Sequence, residues 1–247
     1  MLGLVGHVIT VNQRTGSFKI RAKSGVDGER VLKDTRFVRT RENGYEFGRA
    51  SRKGKQIRMQ LRHVFRGIAD STMKNRLVSL LHHIQKNDRV NTRGARMLLP
   101  ENAAMLRGFE FNKNSSLSLI FTEKLDIQYD RDSGLAKLLI PAFNPQNASY
   151  LPKVATYISF SFAAAPLPIT EERWPSAIST ETDFITLVGI YEGAELHLQL
   201  PPSSPDVIYF LVDISAYKQI NKDYTPLQDG KRNALTIIKV DVPDQVG

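Results

Sequence analysis

Cations are the residue type whose spacing in this chain could do most. Arg36, Arg39, Arg41, Arg49, Arg52, Lys53, Lys55, Arg58, Arg62 and Arg66 follow one another with only Asp34 just before them and Glu42 and Glu46 among them. Clustered guanidinium and ammonium groups bind phosphates and release condensed counterions, which gives affinity without base specificity. The same groups can meet an acidic surface of another protein, where complementary charge sets orientation and register, or stay solvated on a helix face. Phe37, Tyr45, Phe47 and Phe65 are few for stacking on unpaired bases and serve as well as packing anchors. The segment carries no recognition-helix, RNP or KH signature.

Other chemistry is thinly represented. His82 and His83 are adjacent, so on a helix they diverge by about 100° and cannot clamp one metal as an i, i+4 pair would. His63 could approach His82 only through a helical hairpin. Glu171-Glu172 and Asp130/Asp132 are carboxylate pairs, but adjacency does not create the unlike environments that divide acid and base roles. Asp130-Arg131-Asp132-Ser133-Gly134 reads as a hairpin turn, because the further ligands of a calcium loop are missing. Gly48-Arg49-Ala50-Ser51-Arg52-Lys53-Gly54-Lys55 lacks the Gly-Lys-Ser/Thr ending of a phosphate loop and reads as a flexible basic helix start. There is no G-x-S-x-G elbow and no dinucleotide fingerprint. Zero cysteines removes disulfides and thiol chemistry and suits a reducing compartment. A non-enzyme with no catalytic residues, no cofactor and no metal is expected.

The elements that would position the cations come next. His7–Val11 and Ser17–Ile20 read as two short strands about a turn, a ribbon too small to be stable alone. Residues 21–48 read as an extended, charged segment leading into a helix. Ile57, Leu61, Val64 and Ile68 recur at helical spacing opposite Arg52, Lys55, Arg58, Arg62 and Arg66, which predicts an amphipathic helix over 52–68 with a basic stripe. Asp70 or Ser71 then caps a second helix over 71–87, with Met73, Leu77, Leu80, Leu81 and Ile84 buried, and the pair forms an antiparallel hairpin. Beyond residue 100 the period is that of strands: 106–112, 117–122, 125–129, 136–140, 154–162, 184–191, 196–200, 207–214 and 234–240.

Residues 1–100 carry 22 Lys or Arg against 7 Asp or Glu, a net of +15, and residues 101–247 carry 12 against 18, a net of −6. With 41% apolar and 24% charged residues the composition is that of a globular chain with a real core. The expected fold is α+β, with a basic arm, ribbon and helical hairpin over 1–100 and an antiparallel β-sandwich over 101–247, Ig-like topology being one option. No apolar run approaches the roughly 20 residues of a membrane-crossing helix. Met1–Thr10 lacks the basic leader and cleavage site of a secretory signal, so a cytoplasmic location is expected, with assembly at another site compatible.

Several segments resemble a family of uncharacterised bacterial proteins of similar length. They are Thr15-Gly16-Ser17-Phe18, Gly25-Val26-Asp27-Gly28-Glu29-Arg30, Phe37-Val38-Arg39-Thr40-Arg41-Glu42-Asn43 with Glu46-Phe47-Gly48, Thr92-Arg93-Gly94, and Asn233 through Val240. The Arg-Thr-Arg-Glu-Asn stretch is the most distinctive. The resemblance implies a single inherited architecture and brings no activity, cofactor or site residue with it.

The expected role is a self-associating structural subunit of a filament, tube or shell, its partners other copies of itself. Arg39, Arg41, Arg49, Arg52, Arg58 and Arg62 would contact a neighbour's β domain, and Val8, Ile9, Val11 and Phe18 would dock the arm. The alternative is a nucleic-acid-binding protein without sequence preference, using the same arginines on phosphates.

Overall fold

In the computed structural model, which describes residues 7–12, 14–22, 26–64, 70–148, 151, 153–169, 175–227 and 233–243 (backbone alone for 7–10, 19, 21, 22 and 148), the first elements form the expected hairpin. Strands β1 (His7–Val11) and β2 (Phe18–Ala22) pair antiparallel from His7↔Ala22 to Val11↔Phe18. The Asn12 carbonyl accepts from Gly16 N–H at 2.9 Å, and Gly16 sits at φ +66°, a conformation that favours glycine. Then come α1 (Gly28–Lys33), a 3-10 turn (Thr35–Phe37) and α2 (Val38–Gln60). Asp34 organises the turn by accepting from Arg36 N–H at 2.9 Å and from its guanidinium at 2.7 Å, and Arg36 holds that carboxyl below its ordinary range. The extended reading of 21–48 is therefore corrected. Gly44 and Gly48 lie inside a 23-residue helix, carried by the Arg, Glu, Lys and Gln around them.

Contacts divide the chain into two units, residues 1–44 and 45–247, and α2 begins in the first and ends in the second. The charge pattern places the division at residue 100. The helical hairpin instead shares a core with the sheets, so the basic character of 45–100 marks one layer of a body and not a separate domain.

In the second unit α2 buries Ala50, Gly54 and Ile57 together with Glu46, Lys53 and Gln60, and the following turn buries Leu61 and Val64. Helix α3 (Met73–Gln85) buries Leu77, Val78, Leu81, Ile84 and Gln85. A Cβ on Gly54 would lie 3.1 Å from Val78 Cγ2, so the absent side chain lets the helices close here. At the other end Gln85 Nε2 donates to the Glu46 carbonyl at 3.3 Å, which makes the pair antiparallel as expected. Thr72 is the N-cap residue of α3, and Asp70, two residues further out, accepts from Thr72 N–H and Oγ1 and from Arg76 Nη2.

A 3-10 helix (Pro100–Leu106) leads to α4 (Leu117–Ile120), β3 (Asp126–Asp130), β4 (Leu135–Ile140), α5 (Pro145–Ala148), β5 (Tyr157–Pro166), β6 (Ile178–Glu181), β7 (Ile185–Thr186), β8 (Ala194–Gln199), β9 (Ile208–Ile220), β10 (Asp223–Pro226) and β11 (Ala234–Asp241). Leu117–Thr122, expected as a strand, is helical over its first turn because Leu117, Ile120 and Phe121 reach the core at i, i+3, i+4 spacing. Residues 106–112 are not a strand either: the 3-10 helix ends at Leu106, and 108–111 lies along β11 through a bridge, Glu110↔Thr236, and backbone hydrogen bonds to Leu235 and Ile237 without forming a regular ladder. Of 184–191, only Ile185–Thr186 is strand.

All strand pairing is antiparallel. One sheet is six-stranded, with order β10-β9-β5-β6, β11 beside β9 and β7 beside β5; another has order β3-β4-β8. This order differs from the ABED/CFG arrangement of an immunoglobulin sandwich. At the β3–β4 turn Gly134 has φ +74°, and a Cβ there would fall 2.2 Å from the Leu200 carbonyl oxygen, which requires glycine and accords with the turn reading of 130–134.

The large sheet is buried on both faces. Ile158, Phe160, Phe162 and Ala164 of β5, with Ile208, Phe210, Val212 and Ile214 of β9, pack against Ala136, Leu138 and Ile140 of β4 and Leu196 and Leu198 of β8. The alternate residues Ala163, Ala165, Tyr209 and Leu211 join Leu235 and Ile237 in packing against the helices. The fold is α+β, a sandwich of two antiparallel sheets with a helical layer on the outer face of the larger one.

Candidate assembly surface

The first unit lacks the feature that stabilises the second. No residue of 1–44 whose side chain is described is buried, while Val11, Phe18, Ile20, Val26, Leu32 and Val38 are all exposed. Phe18 and Val11, opposite each other at the end of the ribbon, are 67% and 59% exposed. Val8 and Ile9 stand in β1 opposite Arg21 and Ile20. Fully burying one such apolar side chain is worth about 1.5–3 kcal/mol, so an exposed set of this size is a large unused driving force.

The structure distributes the six predicted arginines differently from the sequence. Arg41 Nη1 donates to the carbonyls of Val31 (2.7 Å) and Asp34 (2.9 Å), tying α1 and the 3-10 turn to the start of α2. Arg39 pairs with Glu42 at 3.1 Å. Arg49 Nε donates to the Arg96 carbonyl at 2.9 Å and its Nη2 to the Gly94 carbonyl. Arg58 Nε donates to the Gly54 carbonyl at 3.2 Å. Arg52 and Arg62 lie exposed. Arg41, Arg49 and Arg58 thus act within the fold.

Arg49 belongs to a clamp that spacing did not reveal. Glu46, 1% exposed, accepts from Gly94 N–H at 2.7 Å, with Arg96 Nε at 3.7 Å. Asp88 accepts from the N–H groups of Val90, Asn91 and Met97 at 2.8–2.9 Å and from Asn91 Nδ2 at 2.8 Å. Burial alone would raise the Asp88 pKa, and these hydrogen bonds outweigh it and hold the carboxyl below its ordinary range. Two buried carboxylates thus fix the backbone of a loop that presents Lys86 and Arg89 to solvent. The signal available in the sequence was an acid in the middle of a buried helical stripe.

The histidines do not converge. His82 lies beside Glu46 at 3.9 Å and edge-on to Phe47, at the opposite end of the hairpin from His63. Burial, followed by Lys86, lowers its pKa from 6.5 against the pull of Glu46. Asp130 serves the β3–β4 turn, accepting from Asp132 N–H at 3.1 Å and from Ser133 Oγ. Tyr209 is core, and Tyr191 packs on Phe143; Glu171, Glu172, Arg66, Ile68 and Trp174 lie outside the described residues. Among the described residues no group of three or more His, Cys, Asp or Glu is placed to hold a metal ion, and no helix is long and apolar enough to cross a membrane.

A second surface is a cleft of about 770 Å³ between β3 and the far half of β11. Leu125 and Ile127 form one wall, Ile238 and Val240 the other, with Leu117 and Phe121 between them. Comparison with family models, with curated proteins and with solved structures gives no match.

Proposed function

We propose that the protein is a self-associating structural subunit, of a filament, tube or shell, whose first 44 residues dock on a neighbouring copy. The observation that carries this reading is the contrast between a first unit with no buried side chain among those described and a second unit with two full cores. A two-stranded ribbon alone is marginal in water, because it covers too little apolar surface to offset its ordering entropy. Contact with another copy would cover Val11, Phe18 and Ile20. The arginines contribute less than their number suggests, because several already serve internal carbonyls. The bacterial family resemblance and a cytoplasmic location belong to the same proposal. In its support, two segments that carry the resemblance meet in the clamp, where Gly94 donates to Glu46.

Light scattering on the full chain across a wide concentration range tests the proposal. The expected result is a mass above the monomer that falls on dilution. Phe18→Asp should weaken association roughly thirtyfold or more, the loss of about 2 kcal/mol typical of an aromatic anchor, and leave the melting of the body unchanged. A monomer at the highest concentration and low salt overturns the reading. The exposed Lys86 and Arg89 on their clamped loop favour a second reading, in which the basic layer binds phosphate backbones. Salt-sensitive binding of a labelled oligonucleotide by a monomeric chain would select that reading instead.

A further inference from the structure

Resting on the assembly reading, we propose that the acceptor for the β1–β2 ribbon is the β3 edge of the three-stranded sheet in a second copy, where the ribbon extends the sheet by backbone pairing. β3 ends the order β3-β4-β8, and its outer side faces the cleft toward β11. In an antiparallel ladder, alternate residues turn both backbone groups away from the partner strand. The Ile127 carbonyl is turned this way: it receives the Lys239 ammonium at 3.5 Å across the cleft. Across the cleft, β11 is covered only in part. Gly108 and Phe111 N–H donate to the Ile237 and Leu235 carbonyls, and that cover stops at the bulge between Ile237 and Lys239, where the cleft opens.

Ribbon and edge match in length, pattern and charge. β1, β2 and β3 have five residues each. β2 alternates Phe18 and Ile20 with Lys19 and Arg21, and β3 alternates half-buried Ile127 and Tyr129 with exposed Asp126, Gln128 and Asp130. Paired in phase, the apolar residues continue the sandwich core and the cations stand beside the carboxylates. Residues 7–22 contain Arg14, Lys19 and Arg21 and no acid, whereas 123–132 contains Glu123, Asp126, Asp130 and Asp132 against Lys124 and Arg131. Like charge on two β3 edges opposes their pairing with each other, the usual hazard of an open edge, and leaves a basic strand as the favoured partner.

Because the chain has no cysteine, engineered thiols report this contact directly. Two separately tagged single-cysteine variants, Ile20→Cys and Ile127→Cys, are mixed, allowed to exchange and oxidised. A mixed disulfide well above that formed by Ile20→Cys with Val188→Cys, an exposed loop position, is the expected result. As a second measurement, Asp126→Lys, at an exposed site bonded only to the Gln128 side chain among the described residues, should weaken association roughly fivefold. If the chain assembles and Phe18→Asp abolishes assembly, yet the Ile20→Cys and Ile127→Cys variants form no mixed disulfide and Asp126→Lys is silent, the ribbon docks elsewhere and this inference falls while the assembly reading stands. A chain monomeric under all conditions removes both. A disulfide formed within one chain of the doubly substituted protein at high dilution also overturns it, since the ribbon would then close on its own edge.

Discussion

Gln60, the last residue of α2, is 1% exposed and uses its whole amide. Nε2 donates to the carbonyls of Pro166 (2.8 Å) and Pro175 (3.1 Å), and Oε1 accepts from Tyr209 Oη at 3.1 Å. Its own carbonyl accepts from Ala177 N–H at 3.0 Å. Removing one partner of a buried hydrogen bond costs the desolvation of the group left behind. Gln60→Leu, similar in volume, should therefore lower stability by about 2–4 kcal/mol in chemical denaturation; a loss near zero would mean that the three orphaned groups find water. Arg49 shows why such roles escape a reading of spacing. Its local pattern marks a solvated stripe, but its guanidinium is fixed by carbonyls more than forty positions away, which no periodicity encodes.

α2 buries a polar residue every seventh position, Glu46, Lys53 and Gln60, within the stripe that also holds Ala50, Ile57 and Leu61. The apolar members were legible and located the hairpin. Gly44, Gly48 and the charges among them made the first turns of α2 look like an extended, charged segment. Gly54 was equally ambiguous, since glycine weakens a helix unless close packing requires it. Gly54→Val should destabilise by about 1–3 kcal/mol through the clash with Val78, whereas Gly48→Ala, with nothing within 4 Å of its Cβ, should stabilise by about 0.5–1 kcal/mol. Thermal melts of the two variants moving in the same direction would contradict this. In β5 the residues on the helix side are Ser159, Ser161, Ala163 and Ala165, and those on the other side include Ile158, Phe160 and Phe162. Small side chains on one face of a doubly buried strand signal the approach of another layer. Alternation alone showed a strand and not the layer above it.

Over the whole molecule, charge follows layers. Residues 45–100 hold 13 Lys or Arg against 3 Asp or Glu, a net of +10, and 101–247 holds a net of −6, yet both belong to one unit. Two surfaces of opposite sign were legible; that they cover a common set of cores was not, because it depends on contacts between distant segments. The titrating groups give the body an acid-sensitive profile. His82 is held below 6.5 by burial, so protonation favours the unfolded chain, and stability falls as pH drops through 6.5 toward the folded value. For Asp70, burial is outweighed by hydrogen bonds from Thr72, Arg76 and Lys113; Asp70 and Asp88 both lie below 3.8, so a second loss sets in below about pH 4. Glu110 opposes them. Burial raises its pKa above 4.5, and its protonation on acidification favours the fold. Urea midpoints should therefore decline in two stages, and His82→Gln should remove the upper one; a wild-type midpoint constant between neutral pH and about pH 5 would contradict the assignment.

The placement of Gln60 also has a mechanical side. Load carried along α2 is met first at Glu46 and Arg49, which the 94–96 backbone holds, and what passes further down the helix arrives at its last residue. There it is shared among a central strand through Tyr209 and two chain segments through Pro166, Pro175 and Ala177. With one residue tied to several segments at once, α2 ends at a riveted joint and not at a fraying end.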